Sequence, residues 1–380
     1  MTKIKLQPWF ESCDLDVYPA SGSRIRMLTS APAITHNIYC EQPYCSADGN
    51  RLALLRHHEL GPDCMGDLLL YDIKTYRIAR LEREVTGVCC HAWSGVLYVT
   101  MGRDQQKRLV KIDLNTLERE ELFPWGDLPG SGLGAISADQ RTGLLYTQKP
   151  PQDFRIYTMD LQTRKTTLIH QSPDIINPHL QFRLHNAKRI MIQENRGGLL
   201  DAEGYSVRSC DARGVGLYSI AADGSDRKDF PVGPPHTPST TGHECWIGDT
   251  DRAMVTLGGI HDDGEKRGNV LEVSHDRPKA RVVFESTNIW NHMSVSRCGK
   301  FFVTDAYGLP GVPILLGCIK TGKTRILCEA LTTGGGGQYT HAHPYITSDN
   351  KWVVYNSDRT GLAQAYLAAV PDGFLEKLED

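Results

Sequence analysis

The sequence contains no apolar stretch approaching the ~18 residues of a membrane-spanning helix, so no membrane partner is expected. It also lacks an excess of charge of either sign. A formal net charge of -3 at pH 7 provides neither a basic field for nucleic acid nor an acidic tail, and an anionic ligand must be met by a local cluster of side chains. Residues 1–8 show no apolar core of the length a secretory signal needs. Cysteine is present eleven times, but an odd number that includes the neighbours Cys89 and Cys90 does not read as a disulfide framework in 380 residues. Cys45, Cys245, Cys298, Cys318 and Cys328 fall in strand-like segments, where a thiol packs as a small apolar group. These shortages point to a soluble, cytoplasmic protein of ordinary globular composition; they do not fix its oligomeric state.

The main feature of the sequence is repetition. A short strand, a polar turn of the Ser-Ala-Asp-Gly kind and an apolar strand recur seven times, at residues 43–56, 92–100, 136–146, 181–192, 245–255, 294–303 and 345–355. A following hairpin arm, rich in aliphatic residues and ending in an Asp/Asn/Gly turn, is visible at 68–78, 109–119, 155–165, 217–227 and 314–324. One four-stranded sheet of this kind cannot bury both faces alone, whereas radial stacking against neighbours can. The expectation is an all-β fold, a seven-bladed β-propeller occupying residues 1–380 as a single domain. Residues 14–28 look like a displaced hairpin arm and are predicted to close the ring by pairing with the last blade around 364–370. The stretches 197–214 and 230–242 are expected to be irregular loops on the functional face.

The fourteen histidines are not scattered. Counting back six residues from the turn residue of each repeat reaches His179, His243, His292 and His343, with Gln42 in the first repeat and Leu133 in the third; the second repeat cannot be phased. Equivalent positions on the first strands of propeller blades ring the central channel, and a packed core has no use for a ring of imidazoles. After the glycines at 334–337, Gln338, His341 and His343 follow within six residues. On a strand the two histidines would point to one side, making half of a site for a borderline divalent metal such as manganese rather than calcium. The competing reading is a set of histidines satisfied by backbone groups at strand ends.

The residues reached in this way resemble those of the oligogalacturonate lyases, seven-bladed propellers that cleave short pectin fragments with a bound manganese ion. The resemblance rests on Gln338-x-x-His341-x-His343-Pro344 with the following 355–359, on 241–246 around His243, on 291–294 around His292, and on 35–49. Carried over, it implies His292, Gln338, His341 and His343 as ligands of manganese or another divalent transition metal. It also implies His243 as the Brønsted base, and Arg213, in Asp211-Ala-Arg213, as a catalytic contact to the substrate. His179, Arg196 and Tyr339 are expected at the substrate. The chain departs from the family's pattern at 193–196, where Gln-Glu-Asn-Arg replaces His-Glu-Gly-Pro, and at Gly214 to Gly216, all on the wall that would touch sugar. The expected activity is β-elimination on a short uronic-acid oligosaccharide. The alternatives are a related enzyme for another acidic sugar and a non-catalytic propeller scaffold.

Overall fold

A computed structural model describes residues 1–59 and 64–380. Apart from 3-10 turns at Asp104–Gln106 and Gln338–Thr340 and a single helical turn at Glu376–Glu379, the described elements are all strands. The chain divides into two compact units, one made of Met1–Gly126 and Trp290–Asp380, the other of Asp127–Ile289.

In the first unit an antiparallel sheet of eight strands runs Thr2–Lys3, Glu118–Pro124, Arg108–Asp113, Val96–Met101, Arg77–Cys90, Gly66–Asp72, Arg51–His57 and Thr35–His36. Its 14-residue strand Arg77–Cys90 pairs through its first half with Gly66–Asp72 and through its second half with Val96–Met101. Two neighbouring repeats therefore share one continuous strand, and no break in the sequence marks where the second begins. A second sheet has four strands, Met293–Val295, Phe301–Asp305, Pro313–Cys318 and Thr324–Glu329. A third has five: Cys13–Tyr18, Ser23–Met27, Gln364–Ala369, Trp352–Ser357 and Tyr345–Ile346. In it the N-terminal strand lies against the C-terminal one, Ile25 opposite Ala368 and Met27 opposite Tyr366.

The second unit holds three four-stranded antiparallel sheets, beginning at Leu133–Ile136, Gln181–Phe182 and Thr240–Trp246. Within 197–214, expected to be irregular, Leu199–Leu200 and Ser206–Arg208 form a small hairpin, with an Asp201 turn whose carboxylate accepts from the N–H groups of Glu203 and Tyr205.

The recurring polar turn has a common chemistry. Ser46 donates to Asp48 at 2.6 Å and its hydroxyl accepts from the Arg51 N–H at 2.9 Å. Ser137 does the same with Asp139 and Thr142, and Thr347 with Asp349 and Trp352. Each hydroxyl thus ties the turn's carboxylate to the start of the next strand, and this accounts for the spacing seen in the sequence. Several strands are buried on both faces: Arg189–Asn195, Pro313–Cys318 and Gln364–Ala369 expose none of their residues. Sheet packs on sheet within each unit. Phe301, Val303 and Ile314 meet Ile346, Val353 and Tyr355 in the first unit, and Met191 and Leu217 meet Trp246 and Val255 in the second. Each such side chain contributes about 1.5–3 kcal/mol by leaving water.

Candidate metal centre

His292 precedes the strand Met293–Val295, and its position is set by the far end of the neighbouring strand. The Asp305 carbonyl accepts from the Asn291 N–H at 2.7 Å, while Asp305 Oδ1 accepts from the His292 N–H at 2.9 Å. The same carboxylate reaches the ring: His292 Nδ1 lies 2.9 Å from Oδ2 and 3.1 Å from Oδ1. Asp305 is fully buried and His292 is 1 % exposed. A carboxylate against Nδ1 is the arrangement that orients a ligating imidazole through its other nitrogen.

His341 and His343 arrive differently from the expectation. The segment is not a strand: Gln338–Thr340 is a 3-10 turn, and the strand begins only at Tyr345. His343 has φ +43°, in the left-handed region, so the two rings are brought together by a turn rather than by strand alternation. Two buried asparagines hold the backbone here. Asn356 donates to the His341 carbonyl at 3.1 Å and Asn37 to the His343 carbonyl at 2.7 Å, and the two amides bond each other at 2.9 Å.

The result is a cluster of three imidazoles, His292, His341 and His343, each offering a nitrogen with all three within 4.8 Å of one another. Ring centroids are 4.1 to 5.5 Å apart. His341 Nδ1 is buried with no hydrogen-bond partner, an arrangement that costs free energy unless a ligand meets it. Burial first, and then the neighbouring His292, hold the His341 imidazole below its ordinary value and so favour the neutral form that can donate a lone pair. Neutral imidazoles at this spacing fit a borderline divalent cation. Gln338, the fourth expected ligand, lies on the preceding turn with its residue exposed, its carbonyl accepting from the His341 N–H at 3.1 Å. Tyr307 stands edge-on to His292 and His341, with centroids at 5.1 and 4.9 Å. Tyr339 on the turn lies 6.4 Å from the ring of His57. His57 in turn stacks on His36, their Nε2 atoms 2.8 Å apart.

The remaining expected residues belong to the second unit. His243 sits in a bulge: between the pairs Thr240–Leu257 and Glu244–Val255, three residues oppose one. Gly242 makes the bulge possible, since its φ is +79° and a Cβ there would fall 2.4 Å from Gln193 Oε1. His243 Nδ1 lies 2.9 Å from Thr241 Oγ1, and that hydroxyl donates to the Thr256 carbonyl at 3.4 Å. The Thr256 hydroxyl also lies 2.5 Å from Thr241 Oγ1, so the three groups form one chain in which Thr241 fixes the orientation of the His243 ring through Nδ1. His179 stands edge-on to His243, centroids 6.5 Å apart, and shares a 2.9 Å bond with Asn177. Arg213 is 59 % exposed and grips Asp211 through Nε and Nη2, holding the Asp211 carboxyl down at about 2. Arg196 is committed to Glu194 at 2.9 Å and to the carbonyls of Pro234 and Arg213.

Asp305 and Tyr307 lie outside the matched segments of the sequence, whereas Thr241, Asn37 and Asn356 lie within them but carry no expected role. Only Asp305 carries a local signal, a carboxylate closing the apolar strand Phe301–Asp305.

No family model matches the chain. An oligogalacturonide lyase of Pectobacterium atrosepticum is 24 % identical over 396 aligned positions, covering 93 % of this chain and 95 % of the relative. The chain is related to the oligogalacturonate lyases. A second lyase of this kind, from Dickeya dadantii, is 24 % identical with 93 % and 94 % covered. Among solved structures, an oligogalacturonate lyase in complex with manganese superposes with TM-score 0.73 at 19 % identity, covering 99 % of this chain and 100 % of the other. The oligogalacturonate lyase from Vibrio parahaemolyticus gives 0.70 at 18 %, with 98 % and 100 % covered. The fold is therefore that of the oligogalacturonate lyase structures. Among the described residues no helix is long and apolar enough to cross a membrane.

Proposed function

We propose that this chain is a metal-dependent lyase that cleaves short oligogalacturonides by β-elimination. In this reading residues 1–380 form one seven-bladed propeller closed by the N-terminal strand, and it works in the reducing cytoplasm, in keeping with its eleven cysteines in thiol form. The supporting observation is the convergence of His292, His341 and His343 within 4.8 Å, together with relatives of nearly full length that are lyases of this kind. His292, His341 and His343, with Gln338, would hold a manganese ion or a similar divalent cation.

When bound, such a cation supplies positive charge to a substrate carboxylate and so makes the adjacent C5–H bond more acidic. His243 is the proposed base. It takes the C5 proton on Nε2, the C5 electron pair forms the C4–C5 double bond, the C4–O bond breaks, and the leaving oxygen takes up a proton. In this reading Thr241 accepts from Nδ1–H of His243, and Nε2 takes the proton. A neutral imidazole suits this task because its ordinary pKa lies near 7. Arg213 uses Nε and Nη2 on Asp211, and its Nη1 is left to meet a uronate carboxylate. His179 and Tyr339 would line the sugar. Arg196, spent on Glu194 and two carbonyls, would act by shaping the wall around it. That wall is where the chain departs from the family's pattern, which favours a second reading: the same chemistry on a different uronide.

The test is to mix purified protein and manganese with digalacturonate and, separately, with a glucuronate disaccharide, following the ultraviolet absorbance of the unsaturated product. Absorbance should rise with one of the two and fall by at least about 100-fold in rate for His343→Ala and His243→Ala. Growth only with the glucuronide selects the second reading. No growth with any uronide, at any manganese concentration, contradicts both.

A further inference from the structure

We propose that Asp305 sets how tightly the three-histidine cluster holds a cation, by locking His292 in the tautomer whose Nε2 carries the lone pair. The inference rests on the reading of the cluster as a metal site and adds to it a residue that touches no metal.

A fully buried carboxylate at the end of an apolar strand needs compensation, and the described partners of Asp305 are concentrated on one residue. Oδ1 accepts from the His292 backbone N–H at 2.9 Å; Oδ2 lies 2.9 Å from His292 Nδ1 and Oδ1 3.1 Å from it. An ionised carboxylate accepts but does not donate, so Nδ1 must be the donor. The Tyr307 hydroxyl lies 3.0 Å from Nδ1 and 3.2 Å from Nε2. Since the anion is the stronger acceptor for the single ring N–H, the phenol is left to donate toward Nε2. Nε2 therefore already faces a donor of positive character, and a cation would take that donor's place.

Two substitutions separate the tautomer from a simple loss of packing. In Asp305→Asn the amide keeps the shape of the carboxylate. Its oxygen stays on the His292 backbone N–H, and its NH2 then faces Nδ1. Nδ1 is forced to accept, the proton moves to Nε2, and the lone pair offered to the cluster disappears. Tyr307→Phe removes only the hydroxyl that competes for Nε2.

The experiment is a calorimetric titration of manganese into metal-stripped full-length wild type, Asp305→Asn and Tyr307→Phe, with thermal melts confirming that each is folded. The expected result is about a 10- to 100-fold weaker Kd for Asp305→Asn, and for Tyr307→Phe a Kd equal to or tighter than wild type. A readout that needs no Asp305 variant is the 15N spectrum of histidine-labelled, metal-free wild type, with His292 assigned by its loss in His292→Gln. His292 should carry its proton on Nδ1. Wild type that binds manganese while Asp305→Asn binds equally well, or a His292 protonated on Nε2, overturns this inference and leaves the metal reading standing. Wild type that takes up no manganese overturns the metal reading, and the inference with it.

Discussion

At the scale of single residues, the histidines of this chain divide by what holds their second nitrogen. His292 has a carboxylate and His243 a threonine hydroxyl, whereas His36 and His57 meet each other, Nε2 to Nε2 at 2.8 Å, and His36 also bonds the backbone of Ile38. In the bond between the two rings one donates and the other accepts, and burial disfavours a charge on either ring, holding both imidazoles below their ordinary value. Burial, and then the approach of His57, push His36 from 6.5 down to about 3. The sign follows from linkage: below pH 6.5 the unfolded chain binds a proton at this position that the folded chain refuses. Stability is lost as pH falls, with a limiting slope of about 1.4 kcal/mol per pH unit for one proton. Urea midpoints at pH 7 and pH 5 should fall further in wild type than in His36→Gln; equal losses would contradict the assignment. The histidines themselves were legible because their spacing from the turns repeats. Asp305 and Thr241 were not, since what they do depends on atoms brought close by pairing between strands rather than on any pattern along the chain.

At the scale of elements, turns were more legible than strands. The Ser-x-Asp turns declare themselves because a hydroxyl, a carboxylate and an N–H must sit at fixed offsets, as Ser46, Asp48 and Arg51 do. The boundary between the first two repeats was hidden inside Arg77–Cys90, and 341–343 was read as strand where a turn and a left-handed His343 do the work. The bulge at His243 is a further device that period-two patterning misses, although Gly242 marks its place. Gly242→Ala tests it. A side chain at φ +79° meeting Gln193 at 2.4 Å should cost about 1–3 kcal/mol and swing His243 out of position. The expected outcome is a lowered melting temperature and a loss of lyase rate, with manganese affinity retained. An unchanged melting temperature and rate would show that the bulge is dispensable.

At the scale of the whole chain, the repeat was readable because every copy solves one problem, burying both faces of a four-stranded sheet, with similar residues. Relatives 24 % identical align over 93 % of the chain, and structures at 18–19 % identity share the fold. Repetition carries less information about chemistry, since a scaffold and an enzyme repeat the same turns. What separates the two, among the described residues, is the convergence of His292, His341 and His343, which can be tested directly. Crystals grown with manganese and measured at its absorption edge should give one strong anomalous peak per chain, bridging the rings of those three histidines. A peak elsewhere, or none at full manganese loading, would contradict the account.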